Sequence, residues 1–408
     1  MPTAPIEQRS FVVTLGFLIG VSALTVDLSL PAVPEMVRNL PTTLPKGQLI
    51  VGIFMAGMAV GQIPSGLFAD RLGRLPVLYV GMTLFTLAAA VAAVASNIET
   101  MLGARFVQGM GAASAVVLSR AIVRDIAHGK DAAKLMSLMT MIFTAAPVIA
   151  PTIGALLVAQ FGWRGPFTTI AACGVLMLIA IRVNLVETHQ PNPQGHPVRQ
   201  LLNSTREFFS HGQSIFGLLL IVIPPAGFMS IIAVSAALSV EMYGYSLSAY
   251  GIIFACAGLS ILVGSALNRL LVTRLDAIRI IALGAALLAA ASLQLLLIAW
   301  LDAAPFAWLW GSVCLYMFAI PILMSNATVL ALDPLPTIAG VASSIIGTVQ
   351  NLIGASGAVF GALLYDGTVR NAVLMIATAG IVTALVYLMR PVICRKPLVH
   401  HPDELARD

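Results

Sequence analysis

Residues 66–96 read GLFADRLGRLPVLYVGMTLFTLAAAVAAVAS, a short charged turn followed by a long uncharged apolar run. A helix of about 20 apolar residues is long enough to cross the hydrocarbon core of a bilayer. The same pattern recurs along the 408 residues, of which 59% are hydrophobic and only 10% are charged. A soluble protein carries charge on about a quarter of its residues. The sequence therefore predicts an all-α membrane protein, because the strands of a membrane barrel are about half as long and alternate in polarity.

The apolar runs define twelve predicted transmembrane helices joined by mostly short connections. These spans cover residues 11–33, 48–68, 76–96, 100–120, 134–158, 165–186, 214–239, 248–270, 276–300, 306–331, 336–364 and 370–390. The longest connection is rich in Pro, Gln, His and Gly, which favours an irregular linker. The predicted organisation is an N-terminal six-helix bundle, a cytoplasmic linker, a C-terminal six-helix bundle and a cytoplasmic tail, at residues 1–187, 188–213, 214–392 and 393–408.

A faint internal repeat supports two related halves. The tetrapeptide GALL at 154–157 recurs at 361–364, and the dipeptide RL at 71–72 recurs at 274–275. Both offsets are close to half of the 408 residues. Two parallel six-helix halves are a transporter architecture, in which the substrate path lies between the halves near the membrane midplane.

The distribution of basic residues predicts the orientation. With the N-terminus in the cytoplasm, seventeen of the 22 Lys and Arg residues fall on the cytoplasmic side, and only Arg38, Lys46, Arg164 and Arg370 fall outside. Both termini are therefore expected in the cytoplasm. The net charge of +5 follows from this topology and does not indicate a nucleic-acid partner.

The four cysteines and six histidines are scattered, so the sequence indicates neither a disulfide nor a metal site. It also contains no catalytic dyad and no nucleotide-binding loop. We therefore expect a protein that is not an enzyme and that uses neither a cofactor nor direct ATP hydrolysis.

Asp27 is an acidic residue in the first apolar run, and Arg105 is a basic residue in the fourth. Asp27 lies about seven residues, on the order of 10 Å, from the expected outer end of its span near Pro34, and Arg105 lies at a similar depth. Opposite charges at one depth can meet. One interpretation is a proton switch, because a carboxylate in a partly dry cavity binds and releases protons as its surroundings change. The alternative is a structural ion pair. Gln108 follows Arg105 by one turn, on the same helix face. One interpretation is that it hydrogen-bonds substrate, water or Asp27, and the alternative is that it only joins two helices.

Charged residues follow the second span. Asp70 and Arg74 are spaced i, i+4, and Asp125 at the end of span four falls on the same membrane side. A charge network at these residues would latch the cytoplasmic side shut. The alternative is that these loops are charged only because of the positive-inside bias.

Other positions are candidates for packing or for the substrate cavity. Pro147, Pro151 and Gly154 in span five suggest a hinge, and Gly109 and Gly111 in span four allow close helix contacts, although Pro and Gly are frequent in membrane helices generally. The candidate cavity residues of the second half are Phe228, Met229, Tyr250, Phe254, Asn326 and Gln350. Each of them also fits ordinary packing. No acidic residue lies deep within a span of this half, so we expect proton coupling to belong to the first half.

These motifs resemble the major facilitator superfamily. The loop at 66–74 resembles the signature Gly-x-Leu-Ala-Asp-Arg-x-Gly-Arg, RFVQGMGAA at 105–113 resembles the span-four motif, and APVIAPTIGALL at 146–157 resembles the span-five motif of antiporters. VDLSLPAVPEM, SRAIVRDI and AGVASSIIGTVQNLIGASGA are similar to segments of the drug:proton antiporters of the Bcr/CflA type, at 26–36, 119–126 and 339–358. That group exports bicyclomycin, chloramphenicol or florfenicol.

The resemblance implies a major facilitator fold, with twelve transmembrane helices in two pseudo-symmetric six-helix bundles. It implies an exporter in the bacterial cytoplasmic (inner) membrane, powered by the proton gradient, whose partners are a small-molecule substrate, protons and lipid. We expect a monomer, because two such halves in one chain form a complete path. The resemblance assigns protonation and drug recognition to Asp27, and proton coupling to Arg105 and Gln108. It also assigns a conformational latch to Gly66, Asp70, Arg71, Gly73, Arg74 and Asp125. Some relatives carry a second acid about two turns before the first, but Ile19 and Gly20 are not acidic here, which argues against two-proton coupling.

Two further interpretations remain from the residues. One is an exporter of a single endogenous metabolite on the same fold, such as an amino acid, sugar, nucleoside or siderophore-like compound. The other is a receptor or scaffold with a transporter-like body, in which Asp27 and Arg105 are purely structural.

Overall fold

A computed structural model describes residues 9–127, 149–189, 197–301, 304–335 and 338–394, together with the isolated positions 135, 139 and 142. Every regular element within these residues is helical. The α-helices are α1 (Arg9–Ser29), α2 (Val33–Asn39), α3 (Leu44–Leu72), α4 (Arg74–Ala93), α5 (Ile98–Ile126), α6 (Ile149–Phe161), α7 (Arg164–Asn184), α8 (Pro197–Ser210), α9 (Gly212–Ala237), α10 (Leu247–Leu271), α11 (Ala277–Leu301), α12 (Phe306–Leu332), α13 (Ala339–Leu364), α14 (Val369–Leu388) and α15 (Arg390–Ile393).

Eleven segments of the described residues are long and apolar enough to cross a membrane, and each corresponds to a predicted span. The fifth predicted span, 134–158, lies mostly outside the described residues. Its described end is the apolar helix α6, and its Pro147 is outside the described residues. The protein is therefore a multi-pass membrane protein of α-helices.

The first span is longer than the sequence suggested. A 3₁₀ turn, Leu30–Ala32, joins α1 to α2, so the apolar segment runs over Ser10–Asn39 rather than 11–33. Pro31 and Pro34 each stand in the first turn of a new helical segment, where proline lacks only a hydrogen bond that the helix does not use. They continue the span instead of ending it. Asp27 consequently lies on the order of 18 Å along the helix axis from the end of the span, not 10 Å.

The connection before α9 is not irregular throughout, as its composition suggested. Residues 197–210 form α8, in which Ser204 and Phe208 are buried and Arg206 and Glu207 are exposed. The two buried positions are four residues apart and therefore lie on one face of the helix. The abundance of Pro, Gln and His in the neighbouring residues hid this helix from an assessment based on composition.

The chain divides into two compact units. The first comprises Met1–Pro197 and Ser235–Gly258, and the second comprises Val198–Val234 and Leu259–Asp408. The end of α9 and the beginning of α10 therefore pack within the first unit. The division into bundles at 1–187 and 214–392 stays a prediction.

Within the first unit, α5 packs against α3 and α4 through glycines. A Cβ on Gly109 would overlap the carbonyl oxygen of Phe54, and a Cβ on Gly57 would overlap that of Phe106. A Cβ on Gly111 would lie 2.5 Å from the carbonyl oxygen of Gly81. These contacts hold the backbones close together, so that the polar side chains of α5 have fixed positions relative to α3.

Candidate functional site

Arg105 is fully buried, and its guanidinium donates hydrogen bonds to neutral acceptors on three helices. Its Nη1 donates to Oε1 of Gln108 at 2.8 Å, and its Nη2 donates to Oγ of Ser29 at 3.3 Å. Its Nε donates to the carbonyl oxygen of Ile50 at 3.3 Å, and the guanidinium lies 4.5 Å from the centre of the Phe54 ring. Arg105 thus links α1, α3 and α5.

Asp27 and Arg105 do not form the ion pair that their similar depth suggested. The reason is the direction of Asp27 on α1. Ser29 faces Arg105, and Asp27 precedes it by two residues, which turns its side chain by about 200° around the helix. Asp27 is only 5% exposed, and no side chain among the described residues forms a hydrogen bond or an ion pair with its carboxylate. The carboxylate is therefore buried without a countercharge in the part of the chain that the structure describes.

The side-chain amide of Gln108 is hydrogen-bonded at only one of its two ends within the described residues. Its Oε1 accepts from Arg105, whereas its buried Nε2 has no acceptor among the described residues. A buried polar group without a partner costs about 1–3 kcal/mol. The position is therefore suited to a bound water or to another acceptor, as buried polar atoms usually require.

Tyr250 and Phe254, two predicted cavity residues, are buried within the first unit. The Tyr250 hydroxyl lies 3.0 Å from Oγ of Ser235. The rings of Tyr250 and Phe254 are 5.8 Å apart. The beginning of α10 therefore carries a buried polar hydroxyl, and not only an apolar wall.

The helices around Asp27 are in very close contact. A Cβ on Gly154 would overlap the carbonyl oxygen of Leu28, which joins α6 to α1. Oγ1 of Thr152 donates to the carbonyl oxygen of Gly251 at 3.2 Å, and a Cβ on Gly251 would lie 2.9 Å from Cα of Thr152. Pro151, beside this contact, is buried in α6. Here α6 contacts both α1 and α10.

The other four predicted cavity residues belong to the second unit. Nδ2 of Asn326 donates to Oδ1 of Asn268 at 2.7 Å and to the carbonyl oxygen of Ile322 at 2.8 Å. Phe228, Met229 and Gln350 are partly buried. Their assignment to a substrate cavity stays a prediction.

Arg74 bridges two carboxylates at the turn between α3 and α4. Its Nη1 lies 2.7 Å from Oδ1 of Asp70, and its Nε lies 2.9 Å from Oδ2 of Asp125. The Asp125 side chain is 18% exposed and the Asp70 side chain is 54% exposed, so the bond to Asp125 is the better shielded. Arg71 is exposed, and a Cβ on Gly66 would make only an ordinary contact. Whether this network acts as a latch stays a prediction.

Gly73 is the one residue between α3 and α4. Its φ of +99° lies in a region that disfavours residues with a Cβ. A Cβ at this position would also lie 2.8 Å from Oε2 of Glu187. The turn therefore needs glycine for two independent reasons.

Glu187 is a member of this network that the sequence analysis missed. Its carboxylate accepts hydrogen bonds from the backbone N–H groups of Arg74 and Leu75, at 2.8 and 2.9 Å, at the N-terminus of α4. Oγ1 of the adjacent Thr188 donates to Oδ2 of Asp125 at 3.1 Å. The available signal was an acidic residue just after span six, on a membrane side otherwise rich in arginine.

The pKa of Glu187 reflects this arrangement. Partial burial alone would raise the pKa of the carboxyl. Four backbone N–H groups outweigh this effect and lower the pKa below its usual value, because they bond the ionised form; they belong to Leu75, Arg74, His189 and Thr188. The segment after α7 is thus tied by charge-assisted hydrogen bonds to the α3–α4 turn.

Comparisons with known proteins identify the family. The model of the Major Facilitator Superfamily matches residues 15–358. The chain is 28% identical to a bicyclomycin resistance protein homolog of Haemophilus influenzae, over 93% of this chain and 96% of that protein. It is 32% identical to the multidrug resistance protein MdtL of Shewanella oneidensis, over 55% of this chain and 56% of that protein. These matches confirm the predicted resemblance to drug exporters of the bicyclomycin type.

Solved structures agree on the fold. The chain aligns with the D-xylose-proton symporter at a TM-score of 0.75 and 17% identity, covering 93% of this chain and 97% of that one. It aligns with a peptide transporter, POT, bound to sulfate at a TM-score of 0.74 and 15% identity, covering 94% and 95%. At these low sequence identities the similarity shows only that the fold is shared. Fold and sequence together show that the chain is a transporter of the major facilitator superfamily.

Proposed function

We propose that the protein is a proton-coupled antiporter that exports small amphipathic compounds or drugs across the bacterial cytoplasmic membrane, with both termini in the cytoplasm. The observation that carries the proposal is Asp27, a buried carboxylate without an ion-pair partner among the described residues, in a chain similar to drug resistance proteins. An ionisable group within a membrane span is costly and usually serves function.

The proposed cycle follows from the position of Asp27. The carboxyl group binds a proton when its surroundings open to the outside, and it releases the proton when substrate arrives from the cytoplasm. Each proton that enters down a potential of 100 mV supplies about 2.3 kcal/mol, enough for about a fifty-fold substrate gradient. No cofactor is needed, because the proton gradient supplies the free energy.

Arg105 and Gln108 have an indirect part in this cycle. Arg105 makes its hydrogen bonds to Gln108, Ser29 and Ile50, so it holds the polar interior in place instead of neutralising Asp27. The free Nε2 of Gln108 is suited to hold a water near the depth of Asp27. In this account both residues position the groups through which a proton moves.

The network around Arg74 is the proposed conformational latch. Arg74, Asp125 and Glu187 join the α3–α4 turn to the ends of α5 and α7. Breaking these bonds during each cycle costs free energy, so the network favours the conformation in which it is formed. The protein acts as a monomer in this proposal, because one chain supplies both halves of the path.

The experiment that tests this function is transport into vesicles that contain the purified protein. An imposed pH gradient should drive the accumulation of at least one of chloramphenicol, bicyclomycin and tetraphenylphosphonium inside the vesicles. Asp27→Asn should abolish this accumulation. Asp276→Asn is the matched control, because the Asp276 side chain is 67% exposed and pairs only with Arg279 among the described residues. Accumulation that depends on the gradient in Asp27→Asn would overturn the role of Asp27. Transport of one metabolite class and no drug would favour the metabolite exporter.

A further inference from the structure

Helix α8 carries an exposed stripe of apolar and basic side chains next to the start of a membrane span. We propose that this α8 stripe, formed by Leu202, Arg206 and Phe209, binds anionic phospholipids at the membrane surface, with Arg206 on the phosphate head-group and the two apolar side chains on the acyl chains. The inference goes beyond the proposed function, because it assigns a ligand to the connection before α9 and does not depend on Asp27.

The first observation is the position of α8 at the membrane boundary. Helix α8 ends at Ser210, and the apolar span that begins with α9 starts at Gly212, so only one residue separates them. A Cβ on Gly212 would overlap the carbonyl oxygen of Ile393 in α15. Helix α15 itself begins at Arg390, just after the span α14 ends at Leu388. The end of α8 and α15 therefore meet where two spans of the second unit end, which is the depth of the lipid head-groups.

The second observation is the direction of the α8 stripe. Leu202, Arg206 and Phe209 are spaced i, i+4 and i+7, which places them within about 60° around the helix axis. Leu202 is 64% exposed, Phe209 is 46% exposed, and Arg206 is exposed as well. The stripe begins about 100° around the helix from the buried Phe208, and the half-buried Leu201 lies between them. Leucine, phenylalanine and arginine beside a protein-facing side are typical of a helix that lies in a membrane surface.

The third observation is the charge of this region. Glu207 is the only acidic residue within 197–212 and 388–396, whereas the same residues include five basic ones, Arg199, Arg206, Arg390, Arg395 and Lys396. Glu207 precedes Phe209 by two residues and so lies about 200° around α8 from it. Arg206 forms no ion pair within the part of the chain that the structure describes. A guanidinium without a carboxylate partner is suited to a phosphate group, which it binds through two parallel hydrogen bonds.

A lipid fits the α8 stripe better than a protein partner does. The stripe extends over seven residues, or on the order of 10 Å of helix. A stable protein partner needs an area of about 800 Å² on each side, far more than three side chains supply. A phospholipid needs only a basic group at head-group depth and apolar side chains beside it, and the bilayer supplies it at the end of α9.

The test uses the full-length protein in vesicles of equal parts phosphatidylcholine and phosphatidylglycerol. The four native cysteines are replaced by alanine, and a bimane fluorophore is attached after Phe209→Cys or, as the control, after Asn203→Cys. Asn203 is exposed and lies about 100° around α8 from Leu202, on the side away from Phe208. Two quenchers are then compared, iodide in the water and a nitroxide on the acyl chains of one of the two lipids.

We expect the two labelled positions to differ. The label at position 209 should be quenched by the lipid nitroxide and protected from iodide, and the label at position 203 should show the reverse. At position 209 the apparent affinity for phosphatidylglycerol should exceed that for phosphatidylcholine by about fivefold, the factor that one basic residue contributes near an anionic surface. Arg206→Gln should remove this preference. Glu207→Gln, on the far side of α8, should retain it.

Three results would overturn the proposal. Iodide quenching at position 209 as strong as at position 203 would place the α8 stripe in water. Protection of position 209 from both quenchers would show that protein covers the stripe. An unchanged lipid preference in Arg206→Gln would exclude this arginine as the head-group ligand. If Phe209→Cys does not fold, Leu202→Cys gives the same comparison at the other end of the stripe. These results do not involve transport, so they stand or fall separately from the role of Asp27.

Discussion

Arg105 donates a hydrogen bond through Nη1 to Oε1 of Gln108 at 2.8 Å, one turn further along the same helix. This bond fixes which end of the Gln108 amide faces the guanidinium and which end is free. Arg105 therefore holds polar groups of three helices in place. Its depth in the membrane had suggested a different role, as the ion-pair partner of Asp27. These two roles of Arg105 predict different effects of mutation on stability and transport.

Replacing Arg105 should affect both stability and coupling. Arg105→Lys keeps the charge but loses the planar donor arrangement, and Gln108 Oε1, Ser29 and Ile50 then compete for fewer donors. We expect a loss of about 2–4 kcal/mol in the free energy of unfolding and at least a tenfold loss of coupled transport. Thermal unfolding in detergent and vesicle transport measure the two effects. Arg370→Lys, at an exposed position, is the control. A stable and active Arg105→Lys protein would contradict this account.

The two carboxylates that contact Arg74 should contribute unequally. Asp125→Asn removes the better shielded partner and should cost about 1–3 kcal/mol of stability. Asp70→Asn removes a partner that is 54% exposed and should cost less than about 1 kcal/mol. Chemical or thermal unfolding of the two variants in parallel gives the comparison. Equal losses would show that burial does not set the strength of these bonds.

Gly73 offers a test of the α3–α4 turn. Gly73→Ala combines an unfavourable φ with crowding against Glu187, and we expect a loss of about 2–4 kcal/mol. Gly367→Ala is a matched control, because φ is +88° there but a Cβ would meet nothing within 4 Å. The control should lose only about 1 kcal/mol. If both variants lose the same amount of stability, contact with Glu187 is not important at the turn.

The lowered pKa of Glu187 predicts a pH dependence with a definite sign. Because the folded-state pKa lies below the unfolded value of about 4.3, the stabilisation is fully present above that pH and disappears as pH falls through the folded-state pKa. Glu187→Gln should therefore lower the melting temperature at pH 7, and the difference from wild type should shrink as the pH falls below about 4.3 and through the folded-state pKa. Glu207→Gln, an exposed change on α8, is the control. A difference that grows in acid would contradict the sign.

The contact between Thr152 and Gly251 can be tested by adding one methyl group. Gly251→Ala places a Cβ 2.9 Å from Cα of Thr152, in backbone that cannot move aside easily. We expect at least a fivefold loss of transport from a protein that still inserts in the membrane. Gly103→Ala, where a Cβ would meet nothing within 4 Å, should transport at the wild-type rate. Wild-type transport by Gly251→Ala would show that the close contact is dispensable.

The apolar segments could be predicted because lipid imposes a minimum length on any helix that crosses it. The bond between Asp70 and Arg74 could be predicted because i, i+4 spacing places both on one helix face. The prediction that the first span ends near Pro34 was wrong, because a proline such as Pro31 or Pro34 also fits the first turn of a continuing helix. The apolar segments and the Asp70–Arg74 bond depend on local geometry, which a sequence records directly, whereas the end of the first span depends on how the helix continues past Pro34.

The candidate site was harder to predict because it depends on directions around helix axes. A rise of 1.5 Å per residue gives a depth only where the end of the span is known, and it does not show which way Asp27 or Arg105 points. Glu187 is 113 residues from Arg74, and no spacing rule connects them. Tyr250 could be named only as part of an apolar wall, because its bond with Ser235 arises from the packing of the end of α9 against the beginning of α10.

Drug-triggered proton movement reports directly whether Asp27 couples transport to the proton gradient. Wild-type protein and Asp27→Asn are placed in vesicles with a pH-sensitive dye, and chloramphenicol, bicyclomycin and tetraphenylphosphonium are added in turn. The account predicts that at least one compound moves protons through the wild-type protein and that none does so through Asp27→Asn, at equal amounts of folded protein. Proton movement by Asp27→Asn at the wild-type rate would contradict the claim that this carboxylate couples transport to the proton gradient.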